Sequence, residues 1–181
     1  MPGYDRKQRQ TQPSGRPAPR PLDARRLDEL AVRYVGRYAT TRLKLTRYLQ
    51  RKLSERGWTG DEPAPVERVV ERCCAAGYVD DGAFATARAG ALSRRGYGDR
   101  RIGGALREAG IADDIAQNLR MDDEQALAAA MRFARRRRIG PFTTVEREIG
   151  LDRRQMASMA RAGHSFEVIK LVFGSAGDDQ D

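Results

Sequence analysis

Arginine is the side chain in this sequence whose number and spacing carry most chemistry. Between positions 94 and 107 stand Arg94, Arg95, Arg100, Arg101 and Arg107, opposed within the cluster by Asp99 and joined in the intervening turn by Tyr97. A second cluster is Arg132 with the run Arg135, Arg136, Arg137 and Arg138. A guanidinium makes forked contacts to carboxylate or phosphate, and Tyr97 can stack on a base or on a guanidinium. Either cluster alone also fits a solvated helix face. Two of them on separate parts of the chain, behind a basic leader, favour a polyanionic or acidic partner.

Signals for catalysis are weak. The carboxylate pairs Asp80 with Asp81, Asp113 with Asp114 and Asp122 with Asp123 each stand where a helix should begin. There they can accept orphan backbone N–H groups and meet the positive end of the helix dipole. His164 is the lone histidine. It falls one residue past an expected helix end and reads as a half-buried packing residue. Cys73 and Cys74 are neighbours with no third cysteine, so they read as small apolar fillers of a reduced protein. No phosphate-binding loop, serine elbow or dinucleotide fingerprint is present; Gly103 and Gly104 fall inside a helical pattern with no preceding strand. We therefore expect no enzyme activity, no cofactor and no metal.

The elements that must hold the arginines follow from a repeat. Gly57, Gly110 and Gly163 recur at a spacing of 53 residues, and at the same phase come Arg47/Arg100/Arg153, Leu53/Leu106/Met159 and Trp58/Ile111/His164. A fixed period of this size marks one small helical unit used in tandem. Strand-like alternation is absent, while Ala, Leu, Arg and Glu dominate. The first unit should hold helices over 27–38 and 42–56, the latter closed by Gly57, and a third entered through Pro63 and Pro65. The second should run from a cap at Asp80 and Asp81, through a Gly96–Tyr97–Gly98 turn and a helix capped by Asp99, to a helix with Ile111, Ile115 and Leu119. In the third, Asp122 and Gln125 suggest a capping box, Gly140 and Pro141 end the first helix, and 139–151 is an irregular insertion. Asp152 and Ser165 would cap the last two helices.

The fold expected is all-α, three tandem three-helix repeats forming an elongated, curved array: 27–79, 80–121 and 122–174. A basic disordered leader, 1–26, holds five of the eight prolines, and an acidic tail, 175–181, carries Asp178, Asp179 and Asp181. The formal charge is +9, of which the tail subtracts three. No stretch approaches the roughly 18–20 apolar residues of a membrane span, and no secretory h-region is present. A cytoplasmic monomer is expected. A stacked array presents a surface rather than a pocket, which places binding before catalysis.

Residues 77–85 (Gly-Tyr-Val-Asp-Asp-Gly-Ala-Phe-Ala) and 94–111 (Arg-Arg-Gly-Tyr-Gly-Asp-Arg-Arg-Ile-Gly-Gly-Ala-Leu-Arg-Glu-Ala-Gly-Ile) resemble the RecX family of bacterial regulators. The likeness joins caps, turn and helix closure, and extends over about 27–174. It implies three tandem three-helix units. It also implies binding to the RecA recombinase, in the groove of its filament on DNA, with restraint of strand exchange, ATPase and coprotease activities. The chain departs from the family in its 139–151 insertion, in His164 where an aromatic is frequent, and in its longer basic leader. The expected partner contacts are Arg94, Arg95, Tyr97, Arg100, Arg101, Arg107, Arg135, Arg136, Arg137 and Arg138. A stand-alone helical DNA-binding protein or transcription regulator is the alternative, with DNA also able to meet the basic faces and leader.

Overall fold

The computed structural model describes residues 20–144 and 150–174. They form nine α-helices and one 3-10 turn among the described residues, arranged as three tandem three-helix units in an elongated array. Each unit has its own cluster of buried apolar side chains.

In the first unit the helices are α1 (Ala24–Val35), α2 (Arg42–Arg56) and α3 (Val66–Ala75). Leu27 and Ala31 of α1, Leu45 and Leu49 of α2, and Val66, Val69, Val70 and Cys73 of α3 close on one another. Their helical spacing gives each helix one apolar stripe, and three stripes make one small core. The expected leader of 1–26 is too long. Asp23 accepts the Arg26 N–H at 2.8 Å and so starts α1, while Leu22 is fully buried in the first core. The first helix also ends earlier than expected, at Val35, with Tyr34 turned to stack on Tyr48 at 4.1 Å between ring centroids. Most of the leader, 1–19, and the acidic tail, 175–181, lie outside the described residues.

The second unit comprises α4 (Asp81–Arg94), α5 (Asp99–Glu108) and the single turn-and-a-half of α6 (Asp113–Gln117). The third comprises α7 (Asp123–Arg137), a 3-10 turn at Gly140–Phe142, α8 (Leu151–Arg161) and α9 (Phe166–Gly174). Asp80 and Asp122 cap as expected, accepting the N–H of Ala83 and of Gln125, each at 2.8 Å; the Gln125 side chain does not return the bond. Three expected caps are corrected. Asp99 lies inside the first turn behind Gly98 and accepts the Met121 N–H at 3.2 Å instead. Asp152 lies inside the first turn of α8, whose cap position is Gly150 without a side-chain bond. Asp113 and Asp114 occupy the first turn of α6, again without one. The α7 helix stops before Gly140, because Arg138 itself adopts the left-handed conformation at φ 54°. Of the insertion, 145–149 lies outside the described residues.

The three period-marking glycines all close the second helix of a unit, with φ of 78°, 81° and 97°. Two of them also receive the next-lower unit. The start of α2 sits on the end of α5: the buried Thr41 hydroxyl donates to the Ala109 carbonyl at 2.6 Å while accepting the Lys44 N–H at 3.2 Å. Asp81 adds a bond from the Arg42 N–H at 2.9 Å. The start of α5 sits on the end of α8 in the same sense: Gly98 N–H donates to Ala162 O at 3.0 Å and Arg100 N–H to Gly163 O at 3.2 Å. Each contact sets the N–H-rich positive end of one helix against the carbonyl-rich end of another. It is a close approach. A Cβ at Gly163 would lie 2.5 Å from the Arg101 backbone nitrogen, and one at Gly110 2.4 Å from the Leu43 Cβ.

Gly163→Ala should therefore cost about 3 kcal/mol or more, combining left-handed strain with a forced separation of two units. Gly77→Ala, also at positive φ but with nothing near its added Cβ, should cost only about 1–2 kcal/mol. Chemical denaturation of the two variants checks the difference.

Candidate interaction surface

The junction between the second and third units gathers residues from three helices and one turn. Arg95, Tyr97 and Arg101 come from the second unit; Phe133, Arg136 and Arg137 of α7 and Ser158, Arg161 and Ala162 of α8 come from the third. They line an open groove of about 640 Å³. The turn that delivers Tyr97 is locked from both sides. Gly96, at φ 73°, leaves no room for a Cβ, which would lie 2.7 Å from the Phe133 nitrogen. The ring of His164 lies 5.7 Å from that of Phe133 and its Nε2–H donates to the Gly96 carbonyl at 3.1 Å.

Aromatic faces, rather than carboxylates, hold three of the five guanidinium groups of this groove. Arg95 and Arg101 lie 5.5 and 5.2 Å from the centroid of Tyr97, and Arg136 lies 5.7 Å from that of Phe133 while donating to the Arg95 carbonyl. A π face attracts a cation without cancelling its charge, so the outward donors stay available. Among the described residues, Arg95, Arg101, Arg136, Arg137 and Arg161 form no ion pair. The pairs that do form, such as Arg25 with Glu29 and Arg72 with Asp28, join residues of the first unit.

The two arginine clusters seen in the sequence are thus partly merged and partly separated. Arg95, Tyr97, Arg101, Arg136 and Arg137 share the groove. Arg100 and Arg107 face a second hollow of about 940 Å³ along α5, beside Arg88 and Arg120 and opposed by Asp99, Glu108 and Asp113. Arg94 ends α4 and lines neither. Arg135 lies over Phe142 at 5.1 Å, and Arg138 is the exposed cap of α7. Arg161 completes the groove and borders both hollows, yet sequence reasoning missed it: it belongs to no run of arginines, and only the stacking of α5 on α8 brings it in.

The remaining candidates have structural duties. Cys73 is buried and its thiol is held above its usual range by that burial, while Cys74 is half-buried; neither is in a disulfide. No group of three or more metal-ligating side chains occurs among the described residues, nor is any of their helices long and apolar enough to cross a membrane. His164 is more enclosed than the half-buried position expected, at 3% exposure. Stacking of the second unit on the third covers the ring.

A family model described as RecX, second three-helix domain, matches residues 80–118. The regulatory protein RecX of Myxococcus xanthus (strain DK1622) is 32% identical over 166 residues, covering 87% of this chain and 89% of that protein. This chain belongs to the RecX family. The regulatory protein RecX of Halorhodospira halophila is 29% identical, covering 84% of this chain and 89% of that one. Among solved structures, RecX from Lactobacillus salivarius superposes with a TM-score of 0.63 at 17% identity, over 84% of this chain and 96% of that chain. The fold is thus shared along nearly the whole RecX architecture, and the relatives carry the name of regulators rather than of enzymes. The family match on 80–118 spans α4 to α6, the unit that supplies Arg95, Tyr97 and Arg101.

Burial holds the His164 pKa below its ordinary value near 6.5, against the opposing pull of the Gly96 bond and Asp99. Folding therefore weakens proton binding at this ring. Its contribution to stability should be complete above about pH 6.5 and be lost as pH falls through that value, levelling off below the depressed folded pKa. Thermal melts between pH 8 and 5 should show this slope in the native chain, and His164→Phe should flatten it.

Proposed function

We propose that this chain is a non-catalytic modulator of the RecA recombinase, which binds the RecA filament on DNA and restrains strand exchange, ATP hydrolysis and coprotease action. Membership of the RecX family supports the regulatory role. The observation that carries the contact is the groove between the second and third units, where Arg95, Arg101, Arg136, Arg137 and Arg161 stand around Tyr97 with no carboxylate partner among the described residues. Such a surface suits an acidic protein face or the phosphates of filament-bound DNA. An elongated array of similar units also suits a filament, which offers the same protomer surface again and again. Contacts too weak alone gain from being made together.

The groove should supply most of the electrostatic part of binding. Arg101→Glu combined with Arg136→Glu, in a variant whose helical melt is retained, should weaken inhibition of DNA-dependent ATP hydrolysis by RecA at least about tenfold, which corresponds to about 1.4 kcal/mol. Potency equal to that of the native chain would remove the groove from the mechanism. A parallel pull-down on RecA–single-stranded-DNA filaments and on bare duplex separates this reading from a stand-alone DNA-binding protein. The latter predicts a duplex footprint with a steep salt slope and no dependence on RecA.

A further inference from the structure

The larger hollow, about 940 Å³ along α5, is walled by Arg88, Arg100, Arg101, Arg107, Arg120 and Arg161. None of the six is in an ion pair among the described residues. Three carboxylates, Asp99, Glu108 and Asp113, stand among them, which leaves an excess of three positive charges. The floor is bare helix. Arg100, Gly103, Gly104 and Arg107 fall on one face of α5, so the two arginines flank backbone without side chains, about 10.5 Å apart along the axis. Nothing inside the chain requires these glycines. Neither has the positive φ that favours glycine. A Cβ on Gly104 would meet nothing within 4 Å, and one on Gly103 would make only ordinary contact, at 3.5 Å, with the flexible end of Arg107. Both glycines nevertheless weaken the helix relative to alanine. The demand for them comes from outside.

We propose that this hollow docks an acidic α-helix of a partner protein, laid along α5 with its backbone over Gly103 and Gly104 and its carboxylates on Arg100 and Arg107. Its occupant is independent of what the groove binds. A helix advances about 1.5 Å per residue, so carboxylates seven residues apart on one face match the two arginines. Small residues between them then lie over the glycines, where the two backbones can approach closely. Charge separates this occupant from a nucleic-acid strand. A phosphate strand is negative throughout and would meet Asp99, Glu108 and Asp113 as well as the arginines. No aromatic ring lines the hollow among the described residues, so a base would have nothing to stack on. The groove differs in both respects, having Tyr97 and no carboxylate. A protein helix carries both signs, and basic side chains beside its acidic stripe suit the three carboxylates.

The probe is a labelled, alanine-rich helical peptide of about 20 residues, with two glutamates seven positions apart and alanines between them. Titrated with the full chain, it should bind saturably and shift the Gly103 and Gly104 amide resonances. Replacing both glutamates by glutamine should weaken binding about fivefold. Gly104→Leu separates docking from folding. Its melting temperature should equal or exceed that of the native chain, while its affinity for the peptide falls at least about tenfold. Arg136→Glu with Arg137→Glu, which changes two groove arginines that do not line the hollow, should leave the affinity within about twofold at physiological salt. Unchanged affinity in Gly104→Leu, a lowered melt in that variant, or no saturable binding of the peptide overturns the proposal. So does an equal loss in the groove variant, which would seat the peptide in the groove. Glycine amide shifts with a labelled oligothymidylate but none with the peptide would assign the hollow to a nucleic-acid strand, and overturn it too. If the peptide behaves as expected while RecA inhibition is insensitive to groove charge reversal, the hollow stands and the groove reading falls; the reverse result removes the hollow alone.

Discussion

The contact on which the array depends is a meeting between successive units, in which the start of one second helix sits on the last carbonyls of the next. At such helix ends the N–H and carbonyl groups have no partner inside their own helix. Leaving one buried and unbonded would cost about 1–3 kcal/mol. Stacking the units end to end satisfies both sets at once. The two junctions reach this by different means. Between the first and second units a threonine hydroxyl bridges the two backbones, Thr41 to Ala109. Between the second and third, backbone meets backbone directly at Gly98 and Gly163. The direct version needs glycine on both sides, since a Cβ on Gly98 would lie 2.4 Å from the Gly163 carbonyl.

At Gly57, the end of the first unit's second helix, the residues just before α1 take the place that a helix start takes at Gly110 and Gly163. Leu22 N–H donates to Gly57 O at 3.0 Å, as Arg100 N–H donates to Gly163 O at the second junction. Leu22 then receives the Thr59 N–H and buries its side chain completely in the first core. Leu22 and its neighbours thus cover at Gly57 the kind of surface that a helix start covers at the other two glycines. The glycine at this end needs its positive φ but not the close approach, and an added Cβ there meets nothing.

Much of this was legible in the sequence, and the reason is that the period is enforced by geometry. Gly57, Gly110 and Gly163 must each leave a helix at positive φ, so their spacing records the repeat directly. Helix cores followed from the apolar phase, and the caps at Asp80 and Asp122 from residue type. What stayed hidden depends on contacts between units. Asp99 resembled a cap, but Gly98 takes that position because the junction needs a residue without a side chain there. Leu22 lay in a proline-rich stretch, and its burial goes with backbone bonds to Gly57 and Thr59 that only the folded first unit offers. Arg161 is isolated along the chain and becomes part of the groove through the third dimension alone.

The junction also explains why the arginines of Tyr97's turn face those of α7. Gly96 to Gly98 are held by the third unit through backbone bonds and the His164 ring, so the turn cannot swing its charges apart to relieve repulsion. Tyr97 and Phe133, 6.4 Å apart, provide the compensation by giving the guanidinium groups π faces to lie on. An ion pair would position a guanidinium equally well, but it would also neutralise the charge and occupy the donor fork. Aromatic support fixes the side chain and leaves its charge for another molecule. A groove built for internal stability alone would gain from carboxylates placed among these arginines, as the first unit has among its own. Their absence among the described residues of this groove, beside a first unit laced with ion pairs, is the feature on which the binding role proposed for the second junction rests.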